Sequence, residues 1–312
     1  MPILVIGDLM IDHYISVEKS RINPEAPTLI FKYLHEWYQL GGTANVAKHI
    51  KLLSNNYVEL IGDFGHKYEI LEKLLKEFDI KYKKFIFNKK TTIKTRIICD
   101  NYILLRIDNE DIYYLNYLET LSIIDYLEKI IDKFNIIVIS DYQKGVITDL
   151  LLKKLFNLIK KKKLDIKILI DFKNKDLLKT LIDYSEFIHC IFPNKNEFCK
   201  IINKELNTIE EFKEELRSFY EKYNFKFNVF LKLSKNGCLY LFNRLGGIKY
   251  FENPKVTNVV DVTGAGDVVI ATYATELNKL VANKVKINER DLYCIIEKCL
   301  LNATKHIKKL GS

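Results

Sequence analysis

The chain has 312 residues, 48% hydrophobic, 29% charged and 12% aromatic, with 49 Lys and Arg against 40 Asp and Glu for a formal net charge of +9. That apolar content excludes a disordered chain, and only 12 Gly and 5 Pro exclude a collagen-like or low-complexity one. The length suits one sizeable α/β domain with an appendage, or two small domains, burying about three quarters of the unfolded chain's surface.

The first residues lack a basic lead-in and reach Asp8 within a few positions, so residues 3–6 read as a strand running into Gly7-Asp8 and not as a signal peptide. Residues 12–40 hold two alternating runs, Tyr14-Ile15-Ser16-Val17 and Leu29-Ile30-Phe31-Lys32-Tyr33, around Asn23-Pro24-Glu25-Ala26-Pro27. Residues 84–108 hold another two, 92–98 and 103–107. Neither segment carries a helical pattern, so both are expected as exposed strands of a small β lid over one edge of a main sheet. Between them, Leu40-Gly41-Gly42-Thr43-Ala44-Asn45 opens a helix with Thr43 as the expected N-cap. Further on, apolar runs alternate with helical stretches. Residues 136–139 lead into Ser140-Asp141, 166–170 into Asp171, 188–192 into Pro193-Asn194, and 229–233 into Ser234-Lys235. The alternation predicts a central, mostly parallel sheet flanked by helices. The polar residues that end each run predict a shared rim at the carboxyl ends of the strands, where open α/β sheets bind ligands. A last helix is expected from about 291 to 309. With no repeat and no Pro- or Ser-rich linker, the whole of 1–312 reads as a single domain with a lid.

The composition narrows the partners. The basic run at 160–163 sits at an expected helix end, where cations suit the dipole, and no aromatic stacking motif accompanies it. No nucleic-acid partner is therefore expected, whereas a basic balance is compatible with anionic small substrates. Six scattered Cys without a CxxC pair read as reduced, mostly buried thiols of a cytoplasmic protein. No run approaches the roughly 20 apolar residues of a membrane span. None of the six His has metal-ligand spacing or a hydrolase-like neighbour.

Three constellations carry chemistry. In Asp261-Val262-Thr263-Gly264-Ala265-Gly266-Asp267, followed by an apolar helical stretch, the small residues let backbone approach a ligand, and free amides at a helix start form an anion site. Asp267 is either a dipole-stabilising residue of the first turn or a general base beside a transferring phosphoryl group. It is neither a Walker A nor a dinucleotide fingerprint. In the second, Asn45 of the Gly41-Gly42 helix start either packs there or turns its amide to a hydroxylated ligand, for which Asp8 and Asp12 supply acceptors. In the third, Asn194 and Glu197 open a helix three residues apart, as hard oxygen donors for Mg²⁺ through its waters or as a capping box.

In this order the motifs resemble the PfkB/ribokinase family of carbohydrate kinases over nearly the whole chain. Gly41-Gly42-x-Ala44-Asn45 is similar to its N-terminal signature, Asp261 to Asp267 to its C-terminal one, and Asn194-x-x-Glu197 to its metal-associated motif. A closer resemblance is to the D-glycero-β-D-manno-heptose 7-phosphate kinase domain of bifunctional ADP-heptose synthases. It is carried by Gly7-Asp8-Leu9-Met10-Ile11-Asp12, Ser20 to Pro27, Thr95-Arg96, Leu104 to Asp108, Ser140-Asp141-Tyr142-x-Lys144-Gly145 and Lys309-Leu310-Gly311-Ser312. The resemblance implies a ribokinase-like fold and ATP- and Mg²⁺-dependent phosphorylation of the anomeric C1 hydroxyl, for lipopolysaccharide core synthesis. Asp267 would be the base, and the Gly264, Ala265 and Gly266 amides would stabilise the transferring group. Asp8, Asp12, Gly42 and Asn45 would hold sugar hydroxyls, and Arg21, Arg96, Arg106, Lys144 and Lys173 would receive the 7-phosphate. Ser234, Lys235, Gly237 and Asn302 would line the nucleotide pocket, with Asn194 and Glu197 at the metal. A monovalent-cation requirement stays open. The chain is expected as a stand-alone kinase or one half of a divided protein, without an adenylyltransferase domain but with a separate one as a partner, and as a homodimer through the lid. Asp171-Phe172-Lys173 stands where the family often has Asp-Pro-Lys, and Val268 where it often has Thr; neither change removes a group the chemistry needs. The rival readings are another kinase of the family, acting on fructose 6-phosphate, ribose or a nucleoside, and a catalytically silent phosphosugar-sensing partner.

Overall fold

The computed structural model describes residues 2–66, 68–100, 102–243, 247–255, 259 and 261–308. The chain opens with β1 (Ile3–Gly7), β2 (Leu9–Ile22) and β3 (Leu29–Gly42), then α1 (Thr43–Leu53), β4 (Val58–Asp63), α2 (Glu69–Glu77), β5 (Lys81–Phe85), β6 (Thr92–Cys99) and β7 (Tyr102–Asn109). Helices and strands then alternate through α3 (Tyr117–Ile130), β8 (Ile136–Ser140), α4 (Asp149–Lys162), β9 (Lys167–Asp171), α5 (Leu178–Asp183), β10 (Ile188–Ile191), α6 (Lys195–Ile202), α7 (Ile209–Tyr223) and β11 (Asn228–Lys232). A hairpin of β12 (Cys238–Phe242) and β13 (Gly247–Phe251) precedes α8 (Ala265–Ala282) and α9 (Glu289–His306).

The main sheet runs β13-β12-β11-β10-β9-β8-β1-β4-β5, parallel from β11 to β5 and antiparallel only in the hairpin at the other edge. Its central strands are apolar on both faces because helices cover both. Leu4 and Ile6 of β1 point into a core with α3, α4 and α7, while Ile3 and Val5 point into one with α1, α2, α8 and α9. From β1 the strand order departs in both directions, toward β4 and toward β8. This switch point opens a crevice at the carboxyl ends of β1 and β8.

The second sheet, β3-β2-β6-β7, is the lid. Its first two strands are longer than the sequence pattern indicates, pairing from Leu9↔Gly42 out to Ile22↔Leu29. Its second segment starts later than expected. Residues 81–85 form the edge of the main sheet, and the lid resumes only at Thr92. Only residues 84–85 of this strand fall in the expected lid segment, and they pair with β4 in the main sheet. Thr43 is not the N-cap of α1; Gly42 is, and the Thr43 hydroxyl donates to the Ser140 carbonyl at 3.0 Å. The basic run at 160–163 ends α4 as expected, with Lys161 on Glu128 and Lys162 on Asp132 of the neighbouring turn. The closing helix reaches His306, and its expected end at Lys309 lies outside the described residues, as does the Lys309 to Ser312 stretch.

α1 is buried over its first eight residues, His49 among them, and the His49 ring meets His306 of α9 edge-on at 5.1 Å. Burial, with Lys48 and His306 close by, pushes the His49 imidazole down to about 3. The native state therefore holds it neutral, while the unfolded chain takes up a proton below pH 6.5. Between pH 6.5 and 3 the unfolded state binds more protons, so stability falls as pH falls, by about 1.4 kcal/mol per pH unit from this group. Denaturant unfolding across that range should show a slope one proton shallower for His49→Gln than for the parent chain.

Candidate active site

Asp8, the residue after β1, is fully buried, and its carboxylate accepts three backbone N–H groups from the loop after β8. Tyr142 and Lys144 donate to Oδ2 at 2.8 and 3.0 Å, and Val146 donates to Oδ1 at 3.0 Å. On its other side the Asp8 carbonyl receives the Thr43 amide at 3.0 Å, which docks α1. Gly42 makes that docking possible: its φ is 55°, and a Cβ there would stand 2.7 Å from the Asp8 oxygen. One acid thus ties together β1, the β8 loop and α1.

α8 begins at the same crevice. Its N-cap, Gly264, is left-handed at φ 77°, and a Cβ on it would lie 2.9 Å from Asn45 Nδ2 and 3.7 Å from Asp267 Oδ2. The first-turn amides of Gly266 and Asp267 have no acceptor inside the helix, whereas that of Ala265 closes a turn onto the Val262 carbonyl at 3.3 Å. Lys232, at the end of β11, brings its ammonium to 3.6 Å from where a Gly266 Cβ would stand. A helix N-terminus with a cation beside it is suited to a phosphoryl group.

Asp267 projects from this turn. Asn45 Nδ2 donates to its Oδ2 at 2.8 Å, and the Tyr142 hydroxyl donates to its Oδ1. Burial pushes the Asp267 carboxyl above its ordinary range, and the Tyr142 and Asn45 hydrogen bonds and the Lys173 charge oppose this.

These groups line a cavity of about 220 Å³, suited to a small ligand. Its far wall is the lid. By strand alternation Asp12, Lys94 and Arg96 share one face, with Asp12 opposite Lys94 in the register. Arg96 pairs with Asp12 Oδ1 at 2.5 Å and lies over the Tyr14 ring. Among the described residues Lys94 has no carboxylate within ion-pairing distance, and burial lowers its affinity for the proton, with Glu110 and Asp108 opposing. Lys173 likewise has no ion-pair partner among the described residues and rests over the Tyr142 ring, 3.6 Å from its centre. On the α8 side, Lys232 pairs with Asp171 Oδ2 at 2.9 Å. Burial alone would lower Lys232, but Asp171 and Glu197 raise it. Burial and the Asp171 charge raise Glu197.

Of the residues singled out in sequence, Asp12, Gly42, Asn45, Arg96, Lys173, Asn194, Glu197, Gly264, Gly266 and Asp267 line this cavity. Asp8, expected as a sugar contact, does not line the cavity: it is fully buried, and its carboxylate accepts the loop amides. Asn194 and Glu197 form the capping box of α6, with Glu197 N donating to Asn194 Oδ1 at 2.9 Å and Asn194 N to Glu197 Oε2 at 2.7 Å. This leaves one Glu197 oxygen for a ligand. Arg21 stands nine positions beyond Asp12 on β2, roughly 30 Å along an extended strand, and is exposed. Arg106 is exposed and pairs with Asp108 at 2.8 Å, and Lys144 is taken by Glu110 at 2.6 Å. Ser234, Lys235 and Gly237 follow Lys232 at the same sheet edge but outside the cavity wall. Asn302 on α9 is also outside it and donates to Thr272 of α8 at 3.3 Å. Tyr142, Asp171, Lys94 and Lys232 belong to the site without having been singled out. The alternation of β6 already puts Lys94 beside Arg96, and Asp171 and Lys232 end their strands at the polar rim. Tyr142 has no comparable local signal.

An anion-ready helix start with a buried carboxylate in its first turn, at the rim of this sheet and under a β lid, is the arrangement of a ribokinase-like sugar kinase. Phosphofructokinase-2 from Escherichia coli superposes with a TM-score of 0.71 over 99% of this chain and 94% of that one, at 18% identity. Ribokinase from Giardia lamblia gives 0.75 over 99% and 94%, at 14% identity. The model of the pfkB family carbohydrate kinases matches residues 2–286, and the chain belongs to that family of ATP-dependent sugar kinases. The bifunctional protein HldE of Aliarcobacter butzleri (strain RM4018) is 36% identical over 92% of this chain and 58% of its own length. That of Campylobacter fetus subsp. fetus (strain 82-40) is 33% identical over 99% and 63%. The chain thus spans about three fifths of the length of these curated relatives. Among the described residues, no helix is long and apolar enough to cross a membrane.

Because Asp8 holds the β8 loop through charge-assisted hydrogen bonds, Asp8→Asn should lower unfolding free energy by about 3 kcal/mol. Amide exchange at residues 142–146 should quicken with it, measurable by denaturant titration and hydrogen-exchange mass spectrometry.

Proposed function

We propose that this kinase transfers the γ-phosphoryl group of ATP to the C1 hydroxyl of D-glycero-β-D-manno-heptose 7-phosphate, giving heptose 1,7-bisphosphate as the precursor for an adenylyl transfer to ADP-heptose. The observation that carries the reading is one small cavity with a buried carboxylate at one end and, at its walls, Lys94 and Lys173, cations without an ion-pair partner among the described residues. A neutral sugar needs hydroxyl acceptors, but desolvated ammonium groups call for an anionic substituent. The lid motifs and the HldE relatives support a heptose phosphate over other phosphosugars.

In this reading Asp267 accepts the C1 hydroxyl proton as the oxygen attacks the γ-phosphorus. The Gly266 and Asp267 amides, with Gly264 opening the turn and Lys232 beside it, stabilise charge on the transferring group. Asp12 Oδ2 and Asn45 Oδ1 accept sugar hydroxyls; the latter is buried with no hydrogen-bond partner. Lys94 and Lys173 receive the 7-phosphate, and Arg96 holds Asp12 in place. The nucleotide lies toward Ser234, Lys235 and Gly237, beyond the end of β11.

The residues also fit the divalent cation that such kinases use. Asp171 Oδ1 is buried with no hydrogen-bond partner, and Glu197 keeps an oxygen outside its capping box, so the donors are the hard oxygens that suit Mg²⁺. Asp171 directly, with Glu197 and Asn194 through water, would hold it, and it would neutralise charge on the ATP phosphates.

We also propose that the lid pairs two copies of the chain. β7 is exposed along its length, with Tyr102, Leu104, Leu105 and Ile107 in contact with solvent, and the β2–β3 pair exposes Ile22, Leu29 and Tyr33. Apolar exposure of this extent on a lid marks an interaction surface. Sedimentation should give a dimer; a monomer at every concentration counts against it.

ADP release with MgATP should occur with the heptose 7-phosphate and not with fructose 6-phosphate, ribose or adenosine. Asp267→Asn should lower kcat about 10²- to 10⁴-fold. Lys94→Ala should raise KM for the phosphosugar about tenfold or more while leaving KM for ATP in place. Turnover only with another sugar keeps the kinase class and discards the heptose assignment, and near-normal kcat in Asp267→Asn removes the base.

A further inference from the structure

We propose that Tyr142 is the positioning residue of the base: its hydroxyl, bonded to Asp267 Oδ1, holds the carboxylate ionised and aimed at the substrate hydroxyl. The inference rests on the reading of Asp267 as the base.

The geometry is closed on both sides. Asn45 from α1 takes Oδ2, and Tyr142 from the β8 loop takes Oδ1, so the carboxylate is gripped by two elements other than its own helix. Each oxygen keeps a second lone pair, which leaves the group able to accept a proton without releasing either donor. Tyr142 is itself immobilised. Its amide donates to Asp8 at 2.8 Å, and the Lys173 ammonium sits over its ring, 3.6 Å from the centre. The Lys173 amide in turn donates to Asp141 Oδ2 at 3.1 Å, which ties the segment after β9 to the same loop. A group held in this way needs no reorganisation at the moment of reaction.

The charges around Asp267 show why a donor is needed. Lys48 of α1, Lys173 after β9 and Lys232 of β11 favour the ionised form, while Asp171 of β9 opposes it and is itself paired with Lys232. His306 of α9 is engaged with the Thr263 carbonyl at 2.8 Å. Burial still leaves the carboxyl above its ordinary range, so losing a donor moves it further in that direction. Tyr142, raised well above 10 by burial and by Asp267, stays protonated throughout the working range and keeps its proton to donate to Asp267.

Tyr142→Phe keeps the ring and its contact with Lys173 and removes only the hydroxyl. In protein carrying ¹³C at the aspartate carboxyls, the Asp267 resonance is identified by its loss in Asp267→Asn. Its titration midpoint should move to higher pH in Tyr142→Phe. Difluorotyrosine incorporated at position 142, a stronger donor of nearly the same shape, should move it to lower pH. The acid limb of kcat/KM should follow both shifts, and kcat in Tyr142→Phe should fall about tenfold or more with KM for either substrate within about twofold. A midpoint and an acid limb unchanged in both proteins would overturn the proposal and leave Tyr142 as a packing residue. The titration needs no substrate. Loss of the heptose assignment with the shifts intact would therefore remove the sugar and keep the Tyr142–Asp267 coupling.

Discussion

A buried carboxylate with no counter-ion of its own must be satisfied by hydrogen bonds, and Asp8 meets that demand with amides from a loop more than 130 residues later in the chain. Much of the site follows from this constraint. The loop cannot leave β1 without stranding the buried Asp8 oxygens, so Tyr142 is fixed in height above the sheet. The Asp8 carbonyl seats α1, so Asn45 is fixed as well. Asp267 then enters from α8 between two donors whose positions have already been set. An acid that looks in sequence like a sugar contact instead holds the loop and the helix that carry Tyr142 and Asn45.

The charge distribution in the cavity divides it by function. On the side of α8, Lys232 and Asp171 form a buried pair, with Glu197 nearby. Breaking such a pair leaves an uncompensated charge, so the cation beside the helix start is held in place by its partner. On the lid side, Arg96 is neutralised by Asp12, and Lys94 has no carboxylate within ion-pairing distance among the described residues; Lys173, after β9, lies over the Tyr142 ring. One end therefore suits the transferring phosphoryl group and its metal, and the other suits an anionic substituent on the sugar. The cavity between them accommodates a monosaccharide-sized body.

The parts of this account legible in sequence are those set by local pattern. Apolar runs ending in Ser140-Asp141, Asp171 or Pro193-Asn194 mark strand ends at one rim, and the Gly264-Ala265-Gly266 turn before an apolar stretch marks a helix start. The lid is legible as alternation without helical period. What sequence could not supply was long-range pairing. Residues 84–85, at the start of the expected second lid segment, belong instead to β5 and pair with β4. Arg21 and Arg106 carry the right charge for a phosphate, yet one lies far out on β2 and the other is spent on Asp108. Asn194 and Glu197 form the capping box that their spacing allowed, which engages only one oxygen of the glutamate. Tyr142 was the hardest to foresee, since its role comes from a contact 125 residues distant.

The central claim is that Asp267 directs phosphoryl transfer to the anomeric oxygen of a sugar already phosphorylated at its far end. Phosphorus NMR of the product formed from MgATP and D-glycero-β-D-manno-heptose 7-phosphate tests it directly. The account predicts two phosphomonoester signals of equal intensity, one of them coupled to the anomeric proton. A new phosphate coupled to any other sugar proton, or unconsumed ATP beside the starting monophosphate, would contradict it.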